Sequence, residues 1–182
     1  MIDLKNIEKE FEVAISDLAK FMIDDLKGEI IDQGHVLTGT LRDSIEQTGI
    51  HAANGSIEAF VSLESYYGIL DQGVKSNRIP YERGSGRKSS KYIDGLIKFW
   101  MIKKGLSHSE AKSAAFALAN KHKKEGMPTQ SSWQYSKNGR RLEFFTRTLD
   151  SNLNYDKFEE TIQNQLEEVS NDILNVFEKS LK

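Results

Sequence analysis

The 182-residue chain contains no cysteine, only two prolines and no long apolar run. The absence of cysteine excludes disulfides and thiolate zinc sites, and it fits assembly in a reducing cytoplasm. A membrane-spanning helix needs about 18 or more consecutive apolar residues. No segment approaches that length, and the acid-containing start of the chain does not resemble a signal peptide. We therefore expect a soluble protein with no membrane partner.

Lysine and arginine are concentrated in the middle of the chain. Residues 75–147 carry 17 Lys and Arg against 5 Asp and Glu, whereas the remaining residues carry 8 against 22. This distribution predicts a core domain formed by residues 1–74 and 148–182, and a basic insertion or arm formed by residues 75–147. The basic part is either a solvated surface or a region that contacts an acidic or phosphate surface.

Two long helices are predicted at the ends of the chain. Apolar residues recur every three or four positions over residues 3–31 and again over residues 155–181, with acids between them. Gly34 is expected to end the first helix. Such stripes usually form a core or a helix–helix seam.

A β-hairpin is predicted between these helices. The pair Asn54-Gly55 favours a two-residue turn, and it joins residues 44–53 to the alternating segment 56–64. The alternation predicts one buried face. After it, residues 69–72 are expected to form a short helical turn, and residues 82–90 a flexible loop.

A helical hairpin is predicted within the basic segment. The first helix covers residues 91–104 and ends at Gly105; the second starts with a capping box at Ser107 and ends at Gly126. Its alanines would allow close packing of a neighbouring helix. A further Asn-Gly turn at residues 138–139 is predicted between two short aromatic strands. The fold class is therefore α+β: an antiparallel sheet around a hairpin, packed by long terminal helices, with an inserted helical hairpin.

The sequence shows no catalytic constellation. The segment GSGRKSS has Arg87 and Glu82 where a phosphate-binding loop needs glycines. Ser44, in VLTGTLRDSIE, lacks a histidine partner visible in the sequence, so a hydrolase remains only a third alternative. Asp71 has no partner acid, and the four histidines lack metal-ligand spacing. We expect no enzyme activity, no cofactor and no metal.

Nucleic-acid binding is the main alternative function. Residues 91–126 superficially resemble a helix-turn-helix, whose second helix would read bases through Ser109, Lys112 and Ser113. The positive charge lies instead at the end of that helix, where it also complements the helix dipole. Plain packing of a helical hairpin explains this pattern as well.

The order of the short motifs resembles the tail-completion proteins of tailed bacteriophages, which are also described as head–tail joining, neck or minor tail proteins. That family pattern is a long helix, a TGxLxxSI loop, strands, an aromatic-Gly segment and a closing Phe-containing stretch. The matching residues are Thr38, Gly39, Leu41, Ser44 and Ile45, then Tyr67, Gly68 and Gly73, then Phe144 and Phe145. Asp71 or Gln72 stands near the usual glutamate, and a proline-aromatic pair before the last helix is missing.

The resemblance implies a non-enzymatic virion protein that forms a ring. Its expected partners are further copies of the chain, the portal or connector, and the tail terminator or tail-tube proteins. It would be assembled in the host cytoplasm and located in the neck or tail, with non-specific contact to genome DNA left open. The residues expected at interfaces are Arg42, Arg87, Lys88, Lys121, Lys123, Lys124, Arg140 and Arg141.

Overall fold

The computed structural model describes residues 4–84 and 90–180, and it forms the predicted α+β fold. The elements in chain order are α1 (Leu4–Asp32), α2 (Thr40–Asp43), β1 (Glu46–Ala53), β2 (Ser56–Ser62), α3 (Tyr67–Gln72), a 3₁₀ turn (Ser76–Arg78), α4 (Lys91–Lys104), α5 (His108–Glu125), a 3₁₀ helix (Gln130–Tyr135), α6 (Phe144–Leu149) and α7 (Asn152–Ser180). Both predicted terminal helices are present.

The chain divides into two units that differ in charge. The acidic unit contains residues 1–28, 43–64 and 145–182, and it carries 8 Lys and Arg against 19 Asp and Glu. The basic unit contains residues 29–42 and 65–144, and it carries 17 against 8. The predicted division had placed residues 29–42 and 65–74 with the core domain. In the structure these residues pack with the basic segment.

The β-hairpin of the acidic unit has the predicted turn. Asn54 and Gly55 both have positive φ, and β1 pairs with β2 in antiparallel register from Ala53 opposite Ser56 to Glu46 opposite Ser62. The predicted buried face is present only in part: Ile57 and Ala59 are half-buried between exposed neighbours, but no residue of either strand is fully buried. A bulge around Thr48 shifts the register, and a bulge turns side chains away from the regular alternation. Val61 remains 40% exposed.

The core of the acidic unit is built on α1. Its buried residues are Ala14, Leu18, Ala19, Ile23 and Leu26, and Ile45 of the chain before β1 is fully buried as well. Ser16 of α1 and Gln47 of β1 join the two elements through side-chain hydrogen bonds of 3.2–3.3 Å. At the other end, Nδ2 of Asn154 donates to Asp25 Oδ2 at 3.3 Å, which links α7 to α1.

The core of the basic unit is the predicted helical hairpin. Ile93 and Ile97 of α4 pack against Ala111, Ala115 and Ala119 of α5. The alanines are completely buried, which is what close helix approach requires. Both caps are confirmed: Gly105 ends α4 in the left-handed region, and Ser107 and Glu110 form the capping box.

The two predicted aromatic strands around residues 138–139 are wrong. Trp133 and Tyr135 lie in the 3₁₀ helix, and Phe144 and Phe145 begin α6. Aromatic residues favour strands only where a neighbouring strand and a half-buried surface are available. Here Phe144 is completely buried, so packing within the basic unit determines its backbone conformation.

Candidate functional site

The motif loop VLTGTLRDSIE consists of two tight turns around α2. Gly39 is buried with φ +84°, and the hydroxyls of Thr38 and Thr40 lie 2.7 Å apart. Leu41 is buried in the basic unit and Ile45 in the acidic unit. The loop therefore gives one apolar side chain to each unit, and the sequence spacing did not reveal this.

Ser44 forms a structural hydrogen bond. The backbone N–H of Glu64 donates to Ser44 Oγ at 3.1 Å, so the serine fixes the chain that leaves β2. Arg42, which was expected at an interface, is half-buried and has an interaction partner within the chain. Its role at an interface stays a prediction.

The second motif, YYGILDQGV, forms α3 and a close backbone crossing. Gly73 has φ +71°, and a Cβ at this position would collide with the carbonyl oxygen of Met127. Immediately beside it, Val74 and Met127 exchange backbone hydrogen bonds of 2.7 and 2.8 Å. Glycine is needed at position 73 both for its conformation and for this approach.

Asp71 of α3 has a structural environment. It is 3% exposed, and its backbone oxygen accepts a hydrogen bond of 2.7 Å from the N–H of Glu143. Tyr67 and Gly68, at the start of the same helix, are half-buried. Asp71 therefore joins α3 to the segment that precedes α6.

A buried polar node holds the end of α1 to that same segment. Gln33 is completely buried, and its Nε2 donates to Glu29 Oε1 and to the backbone oxygen of Leu142, both at 2.9 Å. Nη1 of Arg141 donates to the backbone oxygens of Gln33 at 2.6 Å and Gly34 at 3.1 Å. These carbonyls follow the last turns of α1, where intrahelical donors run out. Arg141 is half-buried and binds the end of α1, and its predicted role at an interface stays a prediction.

His35 lies within this node. Burial, with the nearby Arg141 charge as the next cause, lowers the pKa of His35 to about 4. Its ring packs 5.9 Å from the ring of Phe144, and Nε2 lies 3.1 Å from Gln33 Oε1. A neutral imidazole in these contacts positions the loop after α1.

A second buried histidine joins the helices of the basic unit. Nδ1 of His122 lies 2.6 Å from the hydroxyl of Tyr92, so a neutral imidazole with its proton on Nε2 accepts a hydrogen bond from the tyrosine O–H. Burial lowers the pKa of His122 to about 4 and raises that of Tyr92 to about 12. The sequence carried a signal for this burial, because His122 continues the stripe of Ala111, Ala115 and Ala119 at helical spacing.

Lys103 lies between two aromatic rings. Its Nζ is 5.4 Å from the ring centroid of Phe99 and 5.1 Å from that of Tyr135. Burial lowers the pKa of Lys103, and the charges of Arg141 and Lys104 lower it further. This cation–π contact fixes the 3₁₀ helix on α4, and sequence spacing alone did not predict it.

Three of the six remaining predicted interface cations have partners within the chain. Lys121 donates to Ser131 Oγ at 2.5 Å, Lys123 to the backbone oxygen of Ile79 at 3.4 Å, and Arg140 Nε lies 3.3 Å from Glu29 Oε1. Lys124 is exposed. Arg87 and Lys88 lie outside the described residues.

An open groove of about 620 Å³ runs along α1 beside β1. Its charged lining residues are two lysines, Lys20 and Lys27, and two acids, Asp24 and Glu46. The two signs balance, so the groove has no charge preference for an anion or a cation.

Helix α7 exposes many large apolar residues. Tyr155, Phe158, Leu166, Leu174 and Phe177 are between 47% and 71% exposed. The predicted periodicity is present, but it does not produce the expected core. Within the part of α7 whose side chains are described, Asn154 alone is fully buried.

Across residues 4–84 and 90–180, no cluster of histidines and acids has the arrangement of a metal site. In the same residues, no helix is long and apolar enough to cross a membrane. No protein-family model, curated protein or solved structure matches the chain.

Proposed function

We propose that the chain is a non-enzymatic structural protein of a tailed-phage virion: a tail-completion or head–tail joining subunit that links the head connector to the tail tube. The main supporting observation is that the motif residues which resemble this family have structural roles. Gly39, Leu41 and Ile45 are buried, Ser44 accepts a backbone hydrogen bond, and Gly73 permits a close crossing.

The charge division supports an assembling subunit. An acidic and a basic unit occupy different parts of one chain. Subunits of a ring meet through two different complementary surfaces, and opposite charges on those surfaces favour correct encounters. We expect assembly to weaken as salt increases, because salt screens exposed charges.

The proposal is tested by electron microscopy of phage particles produced with and without this chain. We expect unjoined heads and tails when the chain is missing, and joined particles when the wild-type gene is supplied in trans. Normal joined particles without the chain would overturn the proposal.

Duplex DNA binding by the basic unit is the second candidate. The residues that would read bases, Ser109, Lys112 and Ser113, are all exposed on α5. Binding through phosphates would weaken steeply with salt. A duplex titration at about 50 and 200 mM salt tests this candidate. A steep loss of affinity with salt would support phosphate contact, and no binding at the lower salt would leave the assembly proposal.

A further inference from the structure

The end of α4 and the end of the 3₁₀ helix bring two lysines to an exposed tyrosine. Nζ of Lys103 lies 5.1 Å from the centroid of the Tyr135 ring and 5.4 Å from that of Phe99. Lys103 and the adjacent Lys104 are exposed, and Tyr135 is 56% exposed. An ammonium over an aromatic face is a favourable contact, so Lys103 and Tyr135 position each other at the surface of the basic unit.

Arg141 adds a third positive charge beside this tyrosine. A Cβ at Gly34 would lie 2.6 Å from the backbone oxygen of Tyr135 and 2.9 Å from Nη1 of Arg141, so both residues lie against the same glycine. After burial, the charges of Arg141 and Lys104 are the next causes that lower the pKa of Lys103. Lys103 is therefore close enough to both cations to be repelled by them. We call Lys103, Lys104, Tyr135 and Arg141 the Tyr135 patch.

Acids of the basic unit do not neutralise the Tyr135 patch. Glu29 is paired with Arg140 at 3.3 Å, and Asp32 with Lys137 at 3.7 Å. Glu143, which is near in sequence, has an interaction partner of its own. Among the described residues, no carboxylate forms an ion pair with any of the three cations of the patch. Cations that are held together without a counter-ion mark a candidate site for an anionic ligand.

Helix-dipole stabilisation explains only part of this arrangement. Lys103 and Lys104 occupy the last turn of α4, where positive charge is favourable. That effect requires neither an aromatic ring beside one of the lysines nor a third cation from another segment of the chain. The patch therefore has more chemistry than the end of a helix needs.

Cations around an exposed aromatic ring fit a single-stranded nucleic acid. Its phosphates neutralise the positive charge, while an unpaired base stacks on the aromatic side chain. Lys103 covers part of the Tyr135 ring, yet more than half of this residue remains open to solvent. An acidic peptide would satisfy the charges and leave the ring exposed. A duplex keeps its bases stacked on one another, so it cannot cover the ring either.

We propose that the Tyr135 patch binds single-stranded nucleic acid, with a base on Tyr135 and backbone phosphates at Lys103 and Lys104. Arg141 strengthens the positive potential of the patch, while its Nη1 holds backbone oxygens at the end of α1. This binding goes beyond the assembly role proposed above and does not depend on it. It also differs from the duplex candidate, which uses the exposed face of α5.

Fluorescence anisotropy of the purified full chain with a labelled oligothymidylate of about 15 nucleotides tests the stacking contact. Tyr135→Leu removes the ring and keeps an apolar side chain, so we expect the affinity to fall about fivefold to 150-fold at constant salt. Tyr135→Phe keeps the ring and should bind as the wild type does. Tyr155→Leu is the matched control, because it removes a tyrosine that is 71% exposed in the acidic unit, and it should not change the affinity.

The salt dependence of binding tests the phosphate contacts. Each phosphate neutralised on a single strand contributes about 0.7 to the slope of log affinity against log salt. Lys104→Gln should weaken binding and reduce this slope by about 0.7, whereas Tyr135→Leu should leave the slope unchanged. Lys112→Gln, at an exposed lysine of α5, is the matched control and should keep both the affinity and the slope. Circular dichroism verifies that each variant is folded.

Four results would overturn the proposal. They are no binding by the wild-type chain at low salt, wild-type affinity in folded Tyr135→Leu, polyglutamate of equal charge competing as well as the oligonucleotide, and tighter binding of a duplex of the same length. The polyglutamate result would assign the patch to an acidic protein surface. The duplex result, with a loss in Lys112→Gln, would favour α5 as the binding element. Normal joined particles without the chain would refute the proposed function and leave this binding intact.

Discussion

Lowering the pH is expected to destabilise the chain through His122. This histidine is 6% exposed and lies 2.6 Å from the Tyr92 hydroxyl, and its folded-state pKa is lowered from 6.5 to about 4, mainly by burial. Because the folded state favours neutral His122, the stability that depends on the neutral imidazole is fully present above pH 6.5. It is lost as the pH falls from 6.5 toward 4. Proton linkage therefore predicts that the free energy of unfolding falls by about 2 kcal/mol between pH 8 and pH 5 because of His122.

The assay is urea unfolding followed by circular dichroism at pH 8 and pH 5. His122→Gln removes the titrating group and retains an acceptor for the Tyr92 hydroxyl, so its loss of unfolding free energy should be about 2 kcal/mol smaller than that of the wild type. His35 is present in both the wild type and His122→Gln, so its contribution to the pH dependence of the unfolding free energy cancels in the comparison. His108→Gln, at the exposed start of the same helix, is the matched control and should behave as wild type. Equal losses in wild type and His122→Gln would refute the reasoning.

Three further predictions concern stability, each measured as urea unfolding free energy. Gly73→Ala should cost at least about 1 kcal/mol, because its φ is positive and a Cβ collides with the Met127 carbonyl; an unchanged value would contradict the close crossing. Ala115→Leu should cost about 1–3 kcal/mol by overpacking the α4–α5 contact, whereas exposed Ala117→Leu should be nearly neutral. Arg141→Ala should cost about 2 kcal/mol because two partly buried carbonyl oxygens lose their charged donor. Arg140→Ala removes the ion pair with Glu29, in which the arginine side chain is 45% exposed, and should cost well under about 1 kcal/mol. Equal costs for the two variants would contradict this difference.

Helix ends and the hairpin turn were predictable because their signals are local. Asn54-Gly55 can adopt positive φ at both positions. Ser107 and Glu110 complete a capping box within four residues. These preferences act through neighbouring backbone groups, so they persist whatever the rest of the chain does.

The true conformation of the predicted aromatic strands, and the internal partners of the predicted interface cations, were not predictable because they depend on contacts between segments far apart in sequence. Tyr135 lies against Lys103, which is far away in sequence, and Arg141 binds carbonyls at the end of α1. A lysine or arginine that hydrogen-bonds a distant backbone oxygen looks the same in sequence as one at an interface. The charge count of the middle segment identified a basic region, but not which of its cations have internal partners.

The sequence by itself determined the extents of the four long helices α1, α4, α5 and α7, the hairpin turn, the caps and the separation of charge, since each depends on periodicity or on a few adjacent residues. Only the tertiary structure decided which apolar residues are buried. Helices α1 and α7 have similar amphipathic patterns, yet α1 buries Leu18, Ile23 and Leu26, while Tyr155 and Leu166 of α7 remain exposed. The reason is that a pattern specifies an apolar face, and burial depends on whether another surface lies opposite it.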